Sequence, residues 1–313
     1  MVKMINLADK IEKTLSAELV ALTKQATAMA ASKNLQLYLV GGIVRDLLLG
    51  QTNSNYDLDL VVEGDAIGLA KEFTEKSGGK LTVHKMFNTA KIALSRGTID
   101  IAMARTETYA KPGALPVVMP GTLKTDLFRR DFTVNAMAVC LSPDRYGELI
   151  DLYGGLDDLQ NKTIRVLHEK SFIDDATRIW RAIRYEQRLG FKIEPETLAF
   201  LQRGVPLLKT VGGYRLRHEL ELVLKEKEPE KTLVRADKLG VLKELHPSLK
   251  AGEWLASKFQ AARQSGRATP DYYLGLLVYR LNEDDLLQIT KYLRFSAEQV
   301  RIINKSSSEL NPS

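Results

Sequence analysis

The chain has 313 residues and a mass of 35.0 kDa, enough for two or three domains. Hydrophobic residues make up 44% and charged residues 27%, a balance that excludes a disordered, a collagen-like and a multi-span membrane protein. Lysine and arginine (45) outnumber aspartate and glutamate (39), so the formal charge is +6 and the isoelectric point is near 9.1. This charge is compatible with a polyanionic partner but does not establish one.

The first 20 residues lack the pattern of a targeting segment. They contain no apolar run followed by a cleavage site, and they carry Asp9, Glu12 and Glu18 without an arginine. The single cysteine, Cys140, cannot form an internal disulfide. These features predict a cytoplasmic protein that is not associated with a membrane.

The first 140 residues alternate between helical and strand-like patterns. Apolar residues recur at helical spacing from Leu7 to Ala31 and predict one leading amphipathic helix. Strands are predicted over 35–40, 56–62, 81–84, 91–94 and 98–104, with a polar loop over 51–55 and a helix over 65–77. The proline- and glycine-rich stretch 110–121 predicts a loop without regular structure.

After Gly154-Gly155 the pattern is helical almost throughout, with no second group of strands and no repeat. The predicted fold class is therefore α+β, with a small mixed-sheet head over 1–140 and helical parts over 141–210 and 211–313. Residues 306–313 are polar and are predicted to fray.

The string YLVGGIVRD places Gly41 and Gly42 between a predicted strand and a predicted helix. Glycines there permit a sharp turn and expose N–H groups at a helix N-terminus, where anions bind. Arg45 adds a forked donor for phosphate oxygens. By itself this pattern also suits an ordinary strand–turn–helix joint with Arg45 and Asp46 on the surface.

Asp57 and Asp59 flank Leu58 in an otherwise apolar strand. Side chains two residues apart on a strand share a face, and two such carboxylates repel unless a cation lies between them. Mg²⁺ is the expected ion, and two Mg²⁺ ions roughly 4 Å apart would activate an attacking hydroxyl and stabilise a leaving pyrophosphate. The alternative is an exposed acidic edge strand.

GGIVRD followed by DLD resembles the DNA polymerase β nucleotidyltransferase superfamily. The resemblance implies a third carboxylate on a neighbouring strand, for which Asp100 is the candidate. An Asp100 that only forms an ion pair with Arg105 is an equally good interpretation.

The string LFRRDFTVNAMA contains Arg129 and Arg130, which could hold a triphosphate, and Asp131, which could accept from a ribose hydroxyl. A salt-bridged helix start is the alternative. As a whole the string resembles the RRDFTxNA motif of class II tRNA nucleotidyltransferases and bacterial poly(A) polymerases, which implies that Arg130 faces the incoming nucleotide. IDLYGGLDDL, over 150–159, also matches that family.

In DDATRIWRAIRYEQRLGF, a helix would place Arg178, Arg181, Arg184 and Arg188 on one broad face. A solvated basic stripe is the alternative to a functional face. Asp175 can only accept hydrogen bonds when ionised, whereas Arg178 can only donate them.

Cytosine and adenine each present an amine beside a ring-nitrogen acceptor, whereas uracil and guanine present a carbonyl beside a ring N–H. A fixed Asp175/Arg178 pair would therefore select C and A by a factor of roughly 10⁴ or more. The string resembles the family's Glu/Asp-Asp-x-x-Arg motif, with Asp174 where glutamate is frequent. The resemblance implies that Arg181 and Arg184 hold the helix and the nucleotide.

The resemblance covers 38–191 and implies an enzyme that adds C and/or A to the 3′ end of tRNA from CTP and ATP. It implies Mg²⁺ at Asp57 and Asp59, and triphosphate binding by Gly42, Arg45 and Arg130. The helical parts would be a neck for base recognition (141–210) and a tRNA-binding body (211–313), and a homodimer is possible. Poly(A) polymerase and CC-only or A-only addition are the alternatives, and the long loop over 105–120 favours CCA or terminal-A addition.

Two interpretations outside this family remain open. One is a non-catalytic RNA-binding protein, which the intact Asp57/Asp59 pair disfavours. The other is a small-molecule nucleotidyltransferase, which would not need RRDFTVNA. Four basic residues further on could follow an RNA backbone or form a solvated helix face: Arg215, Arg217, Lys225 and Lys227.

Overall fold

A computed structural model describes residues 5–51, 57–95 and 97–310, with side chains described as far as 303. Most of the predicted loop over 51–55, Tyr56 at the start of the second predicted strand, and the end of the predicted frayed tail lie outside the described residues. The chain forms two compact units. Unit 1 comprises 1–108, 116–161 and 165–167, and unit 2 comprises 109–115, 162–164 and 168–313.

Unit 1 contains a seven-stranded mixed sheet. The strands described in this unit are β1 (Gln36–Val40), β2 (Asp57–Glu63), β3 (Lys80–His84), β4 (Thr89–Leu94), β5 (Gly97–Met103), β6 (Arg105–Thr108), β7 (Val117–Pro120), β8 (Met137–Cys140) and β9 (Leu149–Asp151). The sheet order is β3-β4-β5-β2-β1-β8-β9, in which only β2 and β5 pair in parallel. The predicted mixed-sheet head is confirmed.

The predicted leading helix is wrong, because the segment forms two helices. The helices of unit 1 are α1 (Ala8–Thr14), α2 (Ala17–Ser32), α3 (Gly42–Leu49), α4 (Ala66–Ser77), α5 (Leu123–Phe128) and α6 (Gly155–Gln160). Leu15 and Ser16 are extended, and the Ser16 hydroxyl accepts a hydrogen bond from the Leu19 N–H. A serine that caps a new helix interrupts the old one without changing the apolar spacing.

The prediction of an irregular segment over 110–121 is wrong at its end. β7 pairs antiparallel with β6, from Arg105 opposite Pro120 to Thr108 opposite Val117. The Val-Val-Met run has high strand propensity, and the prolines that flank it concealed that signal.

Unit 2 is helical apart from one small ladder. Its helices are α7 (Ser171–Asp174), α8 (Arg178–Leu189), α9 (Pro195–Gly204), α10 (Gly213–Leu224), α11 (Pro229–Lys238), α12 (Val241–Leu245), α13 (Glu253–Gln264), α14 (Pro270–Val278), α15 (Glu283–Tyr292) and α16 (Ala297–Leu310). The ladder pairs β10 (Thr163–Ile164) with β11 (Lys192–Ile193) in parallel, which the helical pattern did not predict. In the described ranges, no helix is long and apolar enough to cross a membrane.

The boundary of unit 1 extends beyond the predicted head. β9 and α6 follow residue 140 in the chain and belong to this unit, which continues to residue 161. The three-part division at residues 140 and 210 stays a prediction.

The start of α10 gives a test of packing in unit 2. A Cβ on Gly213 would lie 1.8 Å from the Tyr292 carbonyl oxygen, whereas a Cβ on the adjacent Gly212 would meet nothing within 4 Å. Because a backbone oxygen cannot yield easily, Gly213→Ala should lower the free energy of unfolding by about 2 kcal/mol. Urea denaturation measures this loss. Gly212→Ala is the matched control and should change stability little; equal losses in both variants would contradict the packing.

Candidate active site

The turn after β1 brings together residues from three segments of unit 1. Gly41 has φ +81° and ψ −146°, a conformation that side chains rarely permit. A Cβ there would lie 3.3 Å from Asp59 Oδ2 and 3.4 Å from Arg130 Nη1. The predicted glycine turn, the acidic strand and the arginine string therefore meet at one place.

The two carboxylates of β2 project from the same face of the sheet, as predicted. Asp57 and Asp59 are exposed, whereas Leu58 between them is buried. Asp57 Oδ1 accepts a hydrogen bond from Thr98 Oγ1 at 2.6 Å. Asp59 lies opposite Asp100 in the parallel register of β2 and β5.

Asp59 has the most perturbed carboxylate of this group. Partial loss of hydration raises its pKa to about 6, and the negative charges of Asp100 and Asp57 act in the same direction. Arg130 and Lys91 oppose this shift. A divalent cation between the carboxylates would remove the repulsion, so the donor set fits a hard ion such as Mg²⁺.

Asp100 does not pair with Arg105, so that alternative is wrong. Asp100 Oδ2 accepts from Lys91 Nζ at 3.1 Å, while Arg105 pairs with Glu107. Within the described ranges, no group of three His, Cys, Asp or Glu side chains is arranged to hold a metal. Metal binding by Asp57 and Asp59 and a role for Asp100 therefore stay predictions.

Arg45 and Asp46 are buried, so the alternative of an ordinary joint with both residues on the surface is wrong. Its Nε donates to Asp46 Oδ1 at 2.9 Å, and its Nη1 donates to Asn135 Oδ1 at 2.6 Å. A Cβ on Gly42 would lie 3.3 Å from Arg45 Nη2, so the guanidinium lies directly beside the turn. Arg45 thus ties α3 to the end of the arginine string.

Arg130 is held by a buried network of ion pairs. Asp126 accepts from Arg129 through one oxygen at 2.7 Å and from Arg130 through the other at 2.9 Å. Glu107 bonds Arg129 at 3.0 Å as well as Arg105. Although burial opposes ionisation of Asp126, the two arginines outweigh it and lower its pKa.

This network leaves Arg130 with capacity to bind an anion. Arg130 Nε is buried without a hydrogen-bond partner among the described contacts. The network joins Arg105, Arg129 and Arg130 to the carboxylates of Glu107 and Asp126. Sequence inspection missed Glu107 and Asp126, because neither lies in a recognisable string.

Asp131 has a structural task in addition to its predicted contact with ribose. Its side chain is buried, and Oδ1 accepts from the Phe132 N–H at 2.8 Å and from Asn135 Nδ2 at 3.1 Å. These bonds shape the short 3₁₀ turn Thr133–Asn135. The ribose contact stays a prediction.

The second group of predicted residues lies in unit 2, where α7 passes into α8. Asp175 Oδ1 accepts from the Thr177 N–H at 3.0 Å and from its hydroxyl at 2.7 Å. Asp175 Oδ2 accepts from Arg215 Nη2 at 2.8 Å. Arg178 is buried and donates from Nη1 to Ser171 Oγ at 2.7 Å. Both side chains are therefore fixed.

α8 is not a solvated basic stripe. Arg184 is buried and contacts Glu226 at 3.3 Å and Glu219 at 3.9 Å. The guanidinium groups of Arg181 and Arg184 lie 5.6 and 5.2 Å from the centre of the Tyr185 ring. Burial raises the pKa of Glu219, although Arg181 and Arg184 oppose the shift. Arg188 alone of the four predicted arginines is exposed.

The chain is similar to several known proteins. Residues 37–165 match the family model of the Poly A polymerase head domain, and residues 190–252 match that of the probable RNA and SrmB-binding site of polymerase A. The chain is 46% identical over 233 residues to the A-adding tRNA nucleotidyltransferase of Geobacter sulfurreducens, covering 74% of this chain and 26% of that relative.

Two further relatives carry related names. The chain is 42% identical over 200 residues to the CC-adding tRNA nucleotidyltransferase of Deinococcus radiodurans, covering 64% of this chain and 52% of that one. A solved apo structure of a CCA-adding enzyme matches with a TM-score of 0.83 and 35% identity, covering 99% of this chain and 76% of that one. The chain therefore spans about a quarter and about half of the two curated relatives.

A small mixed sheet with paired carboxylates beside a glycine turn defines the nucleotidyltransferase class of heads. Within that class, the chain belongs to the family of tRNA nucleotidyltransferases and bacterial poly(A) polymerases.

Proposed function

We propose that the chain adds C and/or A, without a nucleic-acid template, to the 3′ end of tRNA from CTP and ATP. The convergence of Gly41, Asp59 and Arg130 in unit 1 carries the proposal, because it joins an anion-binding turn, a cation-binding carboxylate and an unpaired guanidinium donor. The names of the relatives supply tRNA as the acceptor.

In the proposed reaction the terminal tRNA hydroxyl loses its proton to water and its oxygen attacks the α-phosphorus of the nucleotide. A P–O bond to the tRNA forms, and the bond from the α-phosphorus to the leaving pyrophosphate breaks. Mg²⁺ held by Asp57 and Asp59 would supply activation of the hydroxyl and charge stabilisation of the leaving group. Arg130 and the N–H groups that begin α3 bind the triphosphate, while buried Arg45 fixes the turn. Asp100 assists beside Asp59. Catalysis is then mainly positioning and electrostatics.

We propose that Asp175 and Arg178 select the base. Asp175 accepts from the amine of C or A, and Arg178 donates to the adjacent ring nitrogen. Their contacts to Thr177, Arg215 and Ser171 support this role, because a fixed pair discriminates by geometry. In this proposal Arg181 and Arg184 maintain the α8 scaffold and the nucleotide site.

Terminal A addition is the second candidate, because a relative at 46% identity is named an A-adding enzyme. The CC-adding relative at 42% identity keeps the CC-only alternative open. A cytoplasmic location and a homodimer are also proposed from the sequence.

The test uses purified protein, Mg²⁺, labelled CTP or ATP, and tRNAs that end at the discriminator base, at C or at CC. Addition of CCA to the first substrate supports the full activity. Addition of A to the CC-ending tRNA alone supports the A-adding enzyme, and C addition alone supports the CC-adding enzyme. Long A tails on an unrelated RNA would identify a poly(A) polymerase, and no transfer to any substrate would overturn the proposal.

A further inference from the structure

We infer that Arg215, which lies outside the motifs singled out for base selection, is a positioning residue that sets the base selectivity of Asp175. This inference rests on the proposed function. Arg215 is the third residue of α10, and its Nη2 lies 2.8 Å from Asp175 Oδ2. The contact joins residues 40 positions apart and lies wholly within unit 2.

The backbone around Asp175 explains why its side chain needs an external anchor. Asp175 follows α7 in an extended conformation, with φ −143° and ψ 98°, and α8 begins only at Arg178. Thr177, two residues further on, donates two hydrogen bonds to Oδ1 and closes a local turn. This turn does not by itself determine the orientation of the second oxygen, Oδ2. Arg215 supplies the long-range contact to that oxygen.

Asp175 Oδ2 can accept a second hydrogen bond, and a nucleobase would donate it. A carboxylate oxygen has two lone-pair sites, so Oδ2 can accept from Arg215 and from an exocyclic amine together. Both side chains are partly exposed, at 33% for Arg215 and 20% for Asp175, so the pair is accessible to a ligand. Arg215 thus orients Asp175 Oδ2, the hydrogen-bond acceptor on which discrimination against U and G depends.

The competing interpretation is that Arg215 binds the RNA backbone, and the two make different predictions. If Arg215 aims Asp175, Arg215→Gln should lower the ratio of kcat/KM for CTP over UTP by about tenfold or more, with the KM for tRNA unchanged. If Arg215 contacts a phosphate of the RNA, the variant should raise the KM for tRNA and leave the CTP/UTP ratio unchanged. The slope of log binding constant for tRNA against log salt concentration should then become shallower by about one. That second result would overturn the inference.

Arg217→Gln is the matched control. Arg217 lies on the same helix, carries the same charge and pairs with Glu221 at 3.3 Å. Its replacement should leave the CTP/UTP ratio at the wild-type value. An equal loss of selectivity in both variants would show a general effect of α10 and would also overturn the inference. Thermal melting of both variants compares their stability.

Two additions keep the result interpretable. If Arg215→Gln does not fold, Arg215→Met preserves the length of the side chain, and its CTP/UTP ratio decides in the same way. If the wild-type protein transfers neither C nor A to tRNA, the proposed function fails. The inference is then decided by the equilibrium binding of CTP and UTP. It is supported if the wild type prefers CTP, Arg215→Gln loses this preference and Arg217→Gln keeps it. It is overturned if Arg215→Gln keeps the preference or if the wild type has none.

Discussion

The double variant Asp57→Asn, Asp59→Asn should lose nucleotide transfer, with kcat lowered by about 10³-fold or more. Asparagine preserves the shape of both side chains but removes the charges that hold a divalent cation, and that cation supplies most of the charge stabilisation in this chemistry. Incorporation of labelled CTP and ATP into tRNA at saturating Mg²⁺ measures the loss. Binding of Mn²⁺, followed by electron paramagnetic resonance, should weaken in parallel.

The control removes two charges elsewhere in the same unit. Asp9 and Asp144 are exposed, and Asp9→Asn, Asp144→Asn should retain nearly full activity. Transfer by the Asp57/Asp59 variant within tenfold of this control would contradict the mechanism. A contribution of Asp100 to catalysis would appear as a further loss in Asp100→Asn, which keeps the shape of the carboxylate that Lys91 binds.

The same double variant should not be less stable than the wild type above pH 6. The pKa of Asp59 is raised from 3.8 to about 6, so the stabilising effect of its neutral form is present at low pH and is lost as the pH rises through about 6. An asparagine does not ionise and escapes this loss. Melting temperatures at pH 5 and pH 8 measure the effect, and a variant that is destabilised only at pH 8 would contradict the sign.

Short-range patterns predicted the parts of the site that depend on neighbouring residues. The alternation of Asp57, Leu58 and Asp59 fixed which side chains share a face, and Gly41-Gly42 marked the turn. Periodicity predicted most strands of the head, because a strand with one buried face shows itself within a few residues. The break at Ser16 was missed because a capping serine does not alter the apolar spacing.

Contacts between distant residues could not be predicted in this way. Glu107 reaches Arg129 across 22 positions, and Arg45 reaches Asn135 across 90. The neighbouring sequence does not distinguish a buried, ion-paired arginine from a solvated one. For this reason Arg184 on α8 also suited the alternative of a solvated basic stripe. Partners of charged groups follow from the tertiary fold, and the pair Asp175–Arg215 is the example with a functional consequence.

Asp175→Asn should relax base selection, lowering the kcat/KM ratio of CTP over UTP by about 100-fold or more. The amide has one acceptor oxygen instead of two. If that oxygen faces Thr177, the amide N–H groups face Arg215, and if it faces Arg215, the turn to Thr177 loses its acceptor. In the first arrangement an N–H donor that suits the carbonyl of uracil replaces the acceptor for the exocyclic amine, and in the second the turn no longer holds that acceptor in place.

Competition between CTP and UTP at a single addition site measures this ratio directly. Asp284→Asn, which neutralises an exposed acid of α15 in the same unit, should leave the ratio unchanged. Because Arg215 acts through the Asp175 carboxylate, the combined Asp175→Asn, Arg215→Gln variant should discriminate no worse than Asp175→Asn alone. Multiplicative losses in the combined variant would mean that the two side chains select the base independently, contrary to the geometry at the α7–α8 junction.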